Sequence, residues 1–455
     1  MELNGRHVLV AGFGRTGKAV CRFLENRGAD ILISESRPAA ELGNDYDKWK
    51  SRGVRFETGG HTRSAFLSAD LIVPSPGIPM IEEIRAAIDH GIPVISEVEL
   101  AFRFIRGRII GITGSNGKST VTSLLHKILA DAGKPARLAG NIGIPLIRFA
   151  EGGTEDDIHV TELSSFQLEH TRTFHPHIAI LLNLTPDHLD WHGSLEGYYA
   201  AKRKILARQT NREFAVLNRD DPRVWTLRED GPYQVYGFSR RERPEPGCFL
   251  QDGDILFSDL GEERLMPAGE IPLPGGHNQE NVMAAALAAR LLGIPSPGIR
   301  SSIRLFPTLE HRLEEVRTVN GVTFFNDSKA TNVESTLTAV NSFDRRLVLI
   351  LGGRDKGADF TRLREAVRKH ARCVLLMGEA GDAIGAALED TVPLIRVASM
   401  REAVISGLRN AKRGEIVLLS PACTSFDMFE SFEHRGREFK REVRNLAPRE
   451  GGNHG

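Results

Sequence analysis

Short apolar runs alternate with segments of helix length along almost the whole chain, and this alternation constrains the fold more than any other feature. Strands are expected at residues 7–11, 71–74, 108–113, 158–162, 178–182, 214–217, 347–351, 374–377 and 416–419. Residues 118–130, 281–292 and 360–369 have helix length and lie between such runs. Alternation of this kind builds βα units and mostly parallel sheets. The series restarts twice, at Arg108 and again after Arg312. A chain of 455 residues has room for about three domains. The expected boundaries are 1–106, 107–308 and 309–455. The expected fold is α/β with three domains: a Rossmann-like first domain, a central domain with a mostly parallel sheet, and a Rossmann-like last domain. Two Pro/Gly-rich patches, 243–247 and 267–276, read as loops around a small β insertion. The polar, Gly-rich tail 447–455 reads as disordered.

Charge narrows the partners. Lysine plus arginine and aspartate plus glutamate each number 59, so the formal net charge is zero. Bulk attraction to nucleic acid or to an anionic membrane is therefore not expected, although a local basic pocket for phosphates remains open. The four cysteines, Cys21, Cys248, Cys373 and Cys423, are far apart and show no metal-binding spacing, as in a reducing compartment. The N-terminus lacks the layout of a signal peptide, and no apolar run reaches the roughly 18 residues that span a bilayer. A soluble, cytoplasmic monomer is expected.

The strongest chemical signal is the stretch Gly111, Ile112, Thr113, Gly114, Ser115, Asn116, Gly117, Lys118, Ser119, Thr120, which follows an apolar strand and opens a helix. Such a turn directs several backbone N–H groups and a helix N-terminus at one spot, which suits phosphate. Lys118 supplies a point charge for the outer phosphates and the Ser119 hydroxyl can hold Mg²⁺. The strict phosphate-loop form has glycine where this chain has Ile112; here Gly111, Gly114 and Gly117 recur every third residue.

A second Gly-rich turn, Gly12-Phe13-Gly14-Arg15-Thr16-Gly17, follows the first strand, and Glu35 stands near the end of the second. By itself this is a dinucleotide-type fingerprint. It points to a diphosphate-bearing ligand without separating NAD from a UDP-sugar, and a tight turn with no ligand would look the same. Glu162 and His188 fall just past strands of the middle region, where α/β ligand sites form, and a hard carboxylate suits Mg²⁺. Taken alone, Lys202 reads as part of a solvated helix face.

Together, several segments resemble the Mur ligase family, which builds the peptidoglycan stem peptide and has the folylpolyglutamate synthetases as more distant relatives. The resemblance rests on residues 114–119, 162–167, 183–188 and 276–281, and continues through 311–314, 326–332 and 419–425. Within the family the chain is most similar to the branch that adds D-glutamate to UDP-N-acetylmuramoyl-L-alanine. The short first domain opening with the Gly12 turn favours that branch, as do the segments 326–332 and 420–425 followed by Asp427 and Phe432. The Asp-Asn-Pro-Arg tetrapeptide of many diaminopimelate-adding relatives is absent.

The resemblance implies a first domain that binds UDP, a central P-loop-type ATPase domain that binds ATP, and a third that closes over the site and brings the amino acid. It implies that Gly14, Thr16, Ser36, Arg37, Gly77 and Asn141 contact the UDP-muramoyl substrate. Gly114, Ser115, Asn116, Gly117, Lys118, Ser119 and Thr120 would hold ATP, with Asn281, Arg312 and Asp327. Ser119, Glu162, His188 and Lys202, the last as a carbamate, would serve Mg²⁺. Lys118, His188 and Lys202 would be catalytic. Lys329, Thr331, Lys356, Ser425 and Phe432 would form the D-glutamate pocket. Two departures stand out. Arg15 replaces an apolar residue in the first turn, and Asp355 is shifted in the loop that carries Lys356.

Three other readings compete. An NAD-linked dehydrogenase built on the Gly12 turn leaves the Lys118 turn unexplained. A nonenzymatic nucleotide-gated module leaves Glu162, His188, Asp327 and Lys329 unexplained. Another Mur ligase or a folylpolyglutamate synthetase keeps the family and changes the substrate; the UDP-type first domain argues against the folate relative.

Overall fold

The structure is a computed structural model in which residues 1–187, 189–259, 261–307, 309–355 and 357–446 are described. His188, Lys356 and the tail 447–455 lie outside the described residues. The chain forms two compact units, one of residues 1–268 with 280–303 and the other of residues 269–279 with 304–455. The α/β architecture holds throughout, on three sheets.

The first unit carries two sheets. In the first, the described strands lie in the order Arg55–Thr58, Asp30–Glu35, His7–Ala11, Leu71–Pro74, all parallel. His7–Ala11 has the next strand in sequence on one side and the last on the other. The turn that leaves it therefore opens into the crevice where the strand order reverses, the usual ligand position of an open α/β sheet.

In the second sheet the described order is Glu263–Pro267, Asp254–Phe257, Gly247–Gln251, Gln234–Ser239, Phe214–Asn218, Ile178–Leu181, Arg108–Thr113, Ile158–Glu162, Ala136–Gly140. All pairs are parallel except the two that join Gly247–Gln251, Asp254–Phe257 and Glu263–Pro267, which are antiparallel. Those last strands are the small β insertion expected between the Pro/Gly patches. Arg108–Thr113 lies between Ile158–Glu162 and Ile178–Leu181, and apart from its first residue it is buried, as are both neighbours. Parallel strands end at one edge, so the Lys118 turn, Glu162 and the segment 182–187 emerge side by side.

The second unit carries a sheet ordered Glu314–Val319, Val322–Asn326, Ile416–Leu419, Leu347–Gly352, Ala371–Met377, Leu394–Arg396, antiparallel only in its first pair. Apolar side chains pack on both faces of it.

Two helices differ from expectation. Gly276–Leu291 begins five residues earlier than the apolar pattern, because the polar residues 277–280 give no periodic sign of its first turn. Residues 360–369 divide into a tight 3₁₀ turn, Phe360–Leu363, and a helix, Arg364–His370. The Asp359 carboxylate accepts from the Thr361 N–H at 3.1 Å and so caps the tight turn. Among the described residues no helix is long and apolar enough to cross a membrane.

Candidate active site

Arg108–Thr113 runs into a turn at residues 114–117 and then into the helix Lys118–Asp131. Two glycines there are required by geometry. Gly114 and Gly117 have φ of +151° and +87°. A Cβ at 114 would stand 2.9 Å from the Leu182 Cβ, and one at 117 would collide with the Asn281 side chain. The helix thus starts against Asn281, one of the residues expected to hold the nucleotide.

The turn is tied to the segment that leaves the neighbouring strand. Asn183 accepts from the Asn116 N–H at 2.8 Å through its side-chain oxygen, and its amide donates back to the Asn116 carbonyl at 3.2 Å. The Ser115 hydroxyl donates to the Thr185 carbonyl at 2.8 Å, accepts from the Thr185 N–H at 3.0 Å, and lies 3.0 Å from the Tyr198 hydroxyl. These bonds fix the backbone of the 114–117 turn. Ser119 and Thr120 are buried at its base.

Two lysines meet at this turn. Lys118 Nζ donates to the carbonyls of Gly114 and Ser115 at 2.7 and 2.8 Å. Lys202, on the helix Leu195–Arg203, is 2% exposed and donates to the same Gly114 carbonyl at 2.9 Å. Its Nζ also sits 4.7 Å from the centre of the Tyr198 ring. Burial, and then the charge of Lys118, hold the Lys202 amine well below the usual lysine range, with Asp187 and Glu162 pulling the other way. The solvated face expected of Lys202 from sequence alone is thus corrected: the helix turns this residue inward.

Glu162 is 1% exposed at the end of its strand, and its Oε1 accepts from the Asn141 side-chain amide at 2.7 Å. Asn141 is anchored at the same place, its N–H donating to the Glu162 carbonyl at 3.0 Å. Asn141, expected at the UDP-muramoyl substrate, therefore also orients a carboxylate expected at the metal.

In the first Gly-rich turn, Glu35 is 5% exposed and both its oxygens are engaged within the protein. One accepts from the Phe13 N–H at 2.8 Å and from Arg37 Nη2 at 3.1 Å; the other accepts from Arg37 Nε at 3.0 Å. Burial alone would raise this carboxyl, but the bonds from Arg37 and the Phe13 N–H outweigh it and bring it down to about 2. A carboxylate so engaged braces the turn and is poorly placed to read a ribose, which weakens the NAD reading. Gly14, Ser36, Arg37 and Gly77 are exposed around this turn, and Thr16 is half-buried. Arg15 leaves the turn altogether and donates to the carbonyls of Gly143 and Asn141 at 3.0 and 3.1 Å.

In the second unit, Asp327 is buried and accepts from the Ser420 hydroxyl at 2.9 Å. Burial pushes its carboxyl up to about 7, against that hydrogen bond and the nearby Arg312 charge. Lys329 Nζ lies 5.3 Å from the centre of the Phe432 ring. Ser328 donates to the Phe432 carbonyl at 2.8 Å. Ser425 is buried and Thr331 half-buried. Asp327, Lys329, Phe432 and Ser425 are drawn together largely by Arg435, whose guanidinium donates to the carbonyls of Ser328, Cys423 and Thr424 at 2.8, 3.1 and 3.2 Å.

The Mur ligase middle domain matches residues 112–289, the Mur ligase glutamate ligase domain 311–423, and the Mur ligase MurD-like N-terminal domain 6–96. The chain is 44% identical over 97% of its length to the UDP-N-acetylmuramoylalanine–D-glutamate ligase of Acidobacterium capsulatum, covering 96% of that protein. The enzyme of the same name from Koribacter versatilis is 42% identical over 99% of this chain and all of that protein. The chain belongs to the Mur ligase family. Solved structures agree in fold. A pseudomurein peptide ligase type C from Methanothermus fervidus, 19% identical, superposes with a TM-score of 0.62 over 97% of this chain and 100% of that one. The MurF ligase of Thermotoga maritima in complex with ADP, 18% identical, gives 0.58 over 98% and 97%.

For this Mur ligase the sequence left three groups without a role. Tyr198 lies one helical turn before Lys202, so the i, i+4 spacing pointed to it once Lys202 faced inward. Asn183 and Thr185 lie within the quoted 183–188 segment, but only the parallel register shows that they zip to the Lys118 turn. Nothing in the sequence separates Arg435 from the other arginines of the helix Phe432–Arg444.

Proposed function

We propose that this Mur ligase adds D-glutamate to UDP-N-acetylmuramoyl-L-alanine at the expense of ATP. The observation that carries the reading is the meeting of Lys118 and Lys202 at the Gly114 carbonyl, beside Glu162, in a chain 44% identical over almost its full length to a ligase of that name. The proposed domains are 1–106 for UDP, 107–308 for ATP and 309–455 for the amino acid.

The chemistry follows from the substrates. A carboxylate is a poor electrophile. Its oxygen attacks the γ-phosphorus of ATP, ADP leaves, and an acyl phosphate forms. The D-glutamate amine then attacks the acyl carbon, inorganic phosphate leaves, and the amine gives up a proton as the amide forms. The first step concentrates negative charge on the γ-phosphoryl oxygens. Lys118, at the start of the helix Lys118–Asp131, is the group proposed to offset it. Asn281 steadies the turn. In the second unit Asp327 and Arg312 hold nucleotide. Lys329, Thr331, Ser425 and Phe432, with Lys356, select the amino acid. Gly14, Thr16, Ser36, Arg37, Gly77 and Asn141 hold the UDP-muramoyl end.

The donor set suits Mg²⁺. Ser119 and Glu162 offer hard oxygens, and Mg²⁺ needs only one or two carboxylates when phosphates and waters supply the rest. Among the described residues there is no cluster of three or more His, Cys, Asp or Glu that would form a dedicated all-protein cage. With His188 the Ser119–Glu162 set would hold the ion, whose contribution is to neutralise phosphoryl charge. Lys202 would join as a carbamate. The neutral amine that burial favours is the form that adds to CO₂: a bond forms from Nζ to the carbon, a proton is released, and an anionic oxygen ligand replaces a cation.

The test is phosphate release with ATP, Mg²⁺ and UDP-N-acetylmuramoyl-L-alanine, comparing D-glutamate, L-glutamate and meso-diaminopimelate. Release dependent on D-glutamate, with a product one glutamyl residue heavier, establishes the reading. Release only with another amino acid moves the chain to another branch, and release without any amino acid rejects coupling.

A further inference from the structure

A groove of about 320 Å³ in the first unit has no part in the reaction described above. It lies along the flank of the helix Arg15–Glu25 and is closed by the helix Gly43–Lys50 and the segment 144–148. Six cations line it: Arg15, Lys18, Arg22, Lys48, Arg52 and Arg148. Among the described residues no carboxylate does. In a chain with no net charge this is a strong local excess.

Its cations come from defined faces. Residues 15, 18, 19 and 22 recur at helical spacing and so form one stripe. Lys18 is paired with Asp45, and Arg52 with Glu25. Arg15 is occupied by the Gly143 and Asn141 carbonyls. Arg22, Lys48 and Arg148 are exposed; Lys48 shares the field of Asp45 with Lys18, and Arg22 and Arg148 form no ion pair among the described residues. The wall between them is apolar and flat. It comprises Trp49, on which the Arg52 guanidinium stacks 4.8 Å from the ring centre, Pro145, and Ile144, which is 48% exposed.

We propose that this groove binds a compact ligand carrying two or more phosphate groups, at a site that adjoins the Gly12 turn at Arg15 and runs away from it along the helix. Four of the six cations are arginines, whose planar forks match phosphate oxygens two at a time. The volume is at the low end for a small-molecule site and too small for a folded peptide segment. The groove extends two helical turns beyond the Gly12 turn, so a ligand bound at Arg22 and Arg148 leaves that turn accessible. Arg15 is the link: a phosphate drawing on it competes with the carbonyls of the loop that carries Asn141.

Tripolyphosphate titrated calorimetrically into the full chain, with saturating ADP and UDP filling the two turns, reads the groove directly. One additional site per chain is expected. The triple variant Arg22→Glu, Lys48→Glu, Arg148→Glu should weaken it about tenfold or more, since each reversal removes a modest exposed attraction. The ligase rate of that variant without added polyphosphate should match the wild type, which shows that it is folded. Equal binding by wild type and variant overturns the proposal. Phosphatidylglycerol vesicles form the second arm. Sedimentation of wild type but not variant with vesicles, without tripolyphosphate binding, assigns the phosphates to a lipid surface. Binding of neither probe by the wild type overturns the proposal.

Discussion

Lys118 and Lys202 direct their ammonium nitrogens at one carbonyl oxygen, that of Gly114, from 2.7 and 2.9 Å. Two cations sharing one acceptor in a buried place do not both keep their protons easily. The more deeply buried one yields: Lys202 is driven toward its neutral form by burial first and by Lys118 second. The arrangement separates their tasks. Of the pair, Lys202 is the one whose surroundings favour a neutral amine.

Lys118→Ala removes the charge proposed to meet the outer phosphates. ATP turnover in a coupled ADP-release assay should fall by about two to three orders of magnitude, as for loss of a preorganised electrostatic group. Turnover at the wild-type rate would end the phosphate-turn assignment.

Lys202→Arg keeps a positive charge but substitutes a guanidinium, which does not lose its proton in proteins and so cannot form a carbamate. Ligation should become undetectable while the chain stays folded by circular dichroism. In wild type, removing dissolved CO₂ should lower the initial rate and added bicarbonate should restore it. A rate indifferent to bicarbonate would retire the carbamate.

Asn141→Ala deprives Glu162 Oε1 of its 2.7 Å donor. Loss of a residue that orients a metal ligand typically costs about 10–100-fold in metal affinity. The half-saturating Mg²⁺ concentration should rise by about tenfold. A change confined to the KM for the UDP-muramoyl substrate would make Asn141 a substrate contact alone.

Glu97 is 1% exposed; one oxygen accepts from the Ile147 N–H at 2.6 Å, and the other makes no hydrogen bond among the described residues. Burial pushes its carboxyl up to about 7, against that hydrogen bond and the Arg15 charge. The folded chain therefore holds this proton where the unfolded chain has released it. Its contribution to stability is full below the ordinary glutamate value of 4.5 and is lost as pH rises through about 7. Glu97→Gln keeps the acceptor and removes the titration. The variant should gain on the wild type as pH rises from about 4.5 to about 7 and keep that advantage above, by at most about 3 kcal/mol. All three tryptophans, Trp49, Trp191 and Trp225, lie in the first unit, so their fluorescence in urea follows that unit alone. Parallel stability–pH curves for the two chains would refute the assignment.

The parallel α/β class, the Lys118 turn and family membership were legible in the sequence, because each is a local pattern: apolar runs of strand length, glycines set by backbone geometry, a lysine opening a helix. The small β insertion was visible for the same reason, between two Pro/Gly patches. The first turn of Gly276–Leu291 was not, since its polar residues carry no periodicity. Tertiary structure alone decided what surrounds the reactive groups. It turned Lys202 inward, joined Asn141 to Glu162 across parallel strand ends, committed Glu35 to Phe13 and Arg37, and gathered six cations into one groove. Periodicity tells which residues share a face of one element; register and packing decide what that face meets, and burial by that partner sets whether a lysine is a cation or an amine.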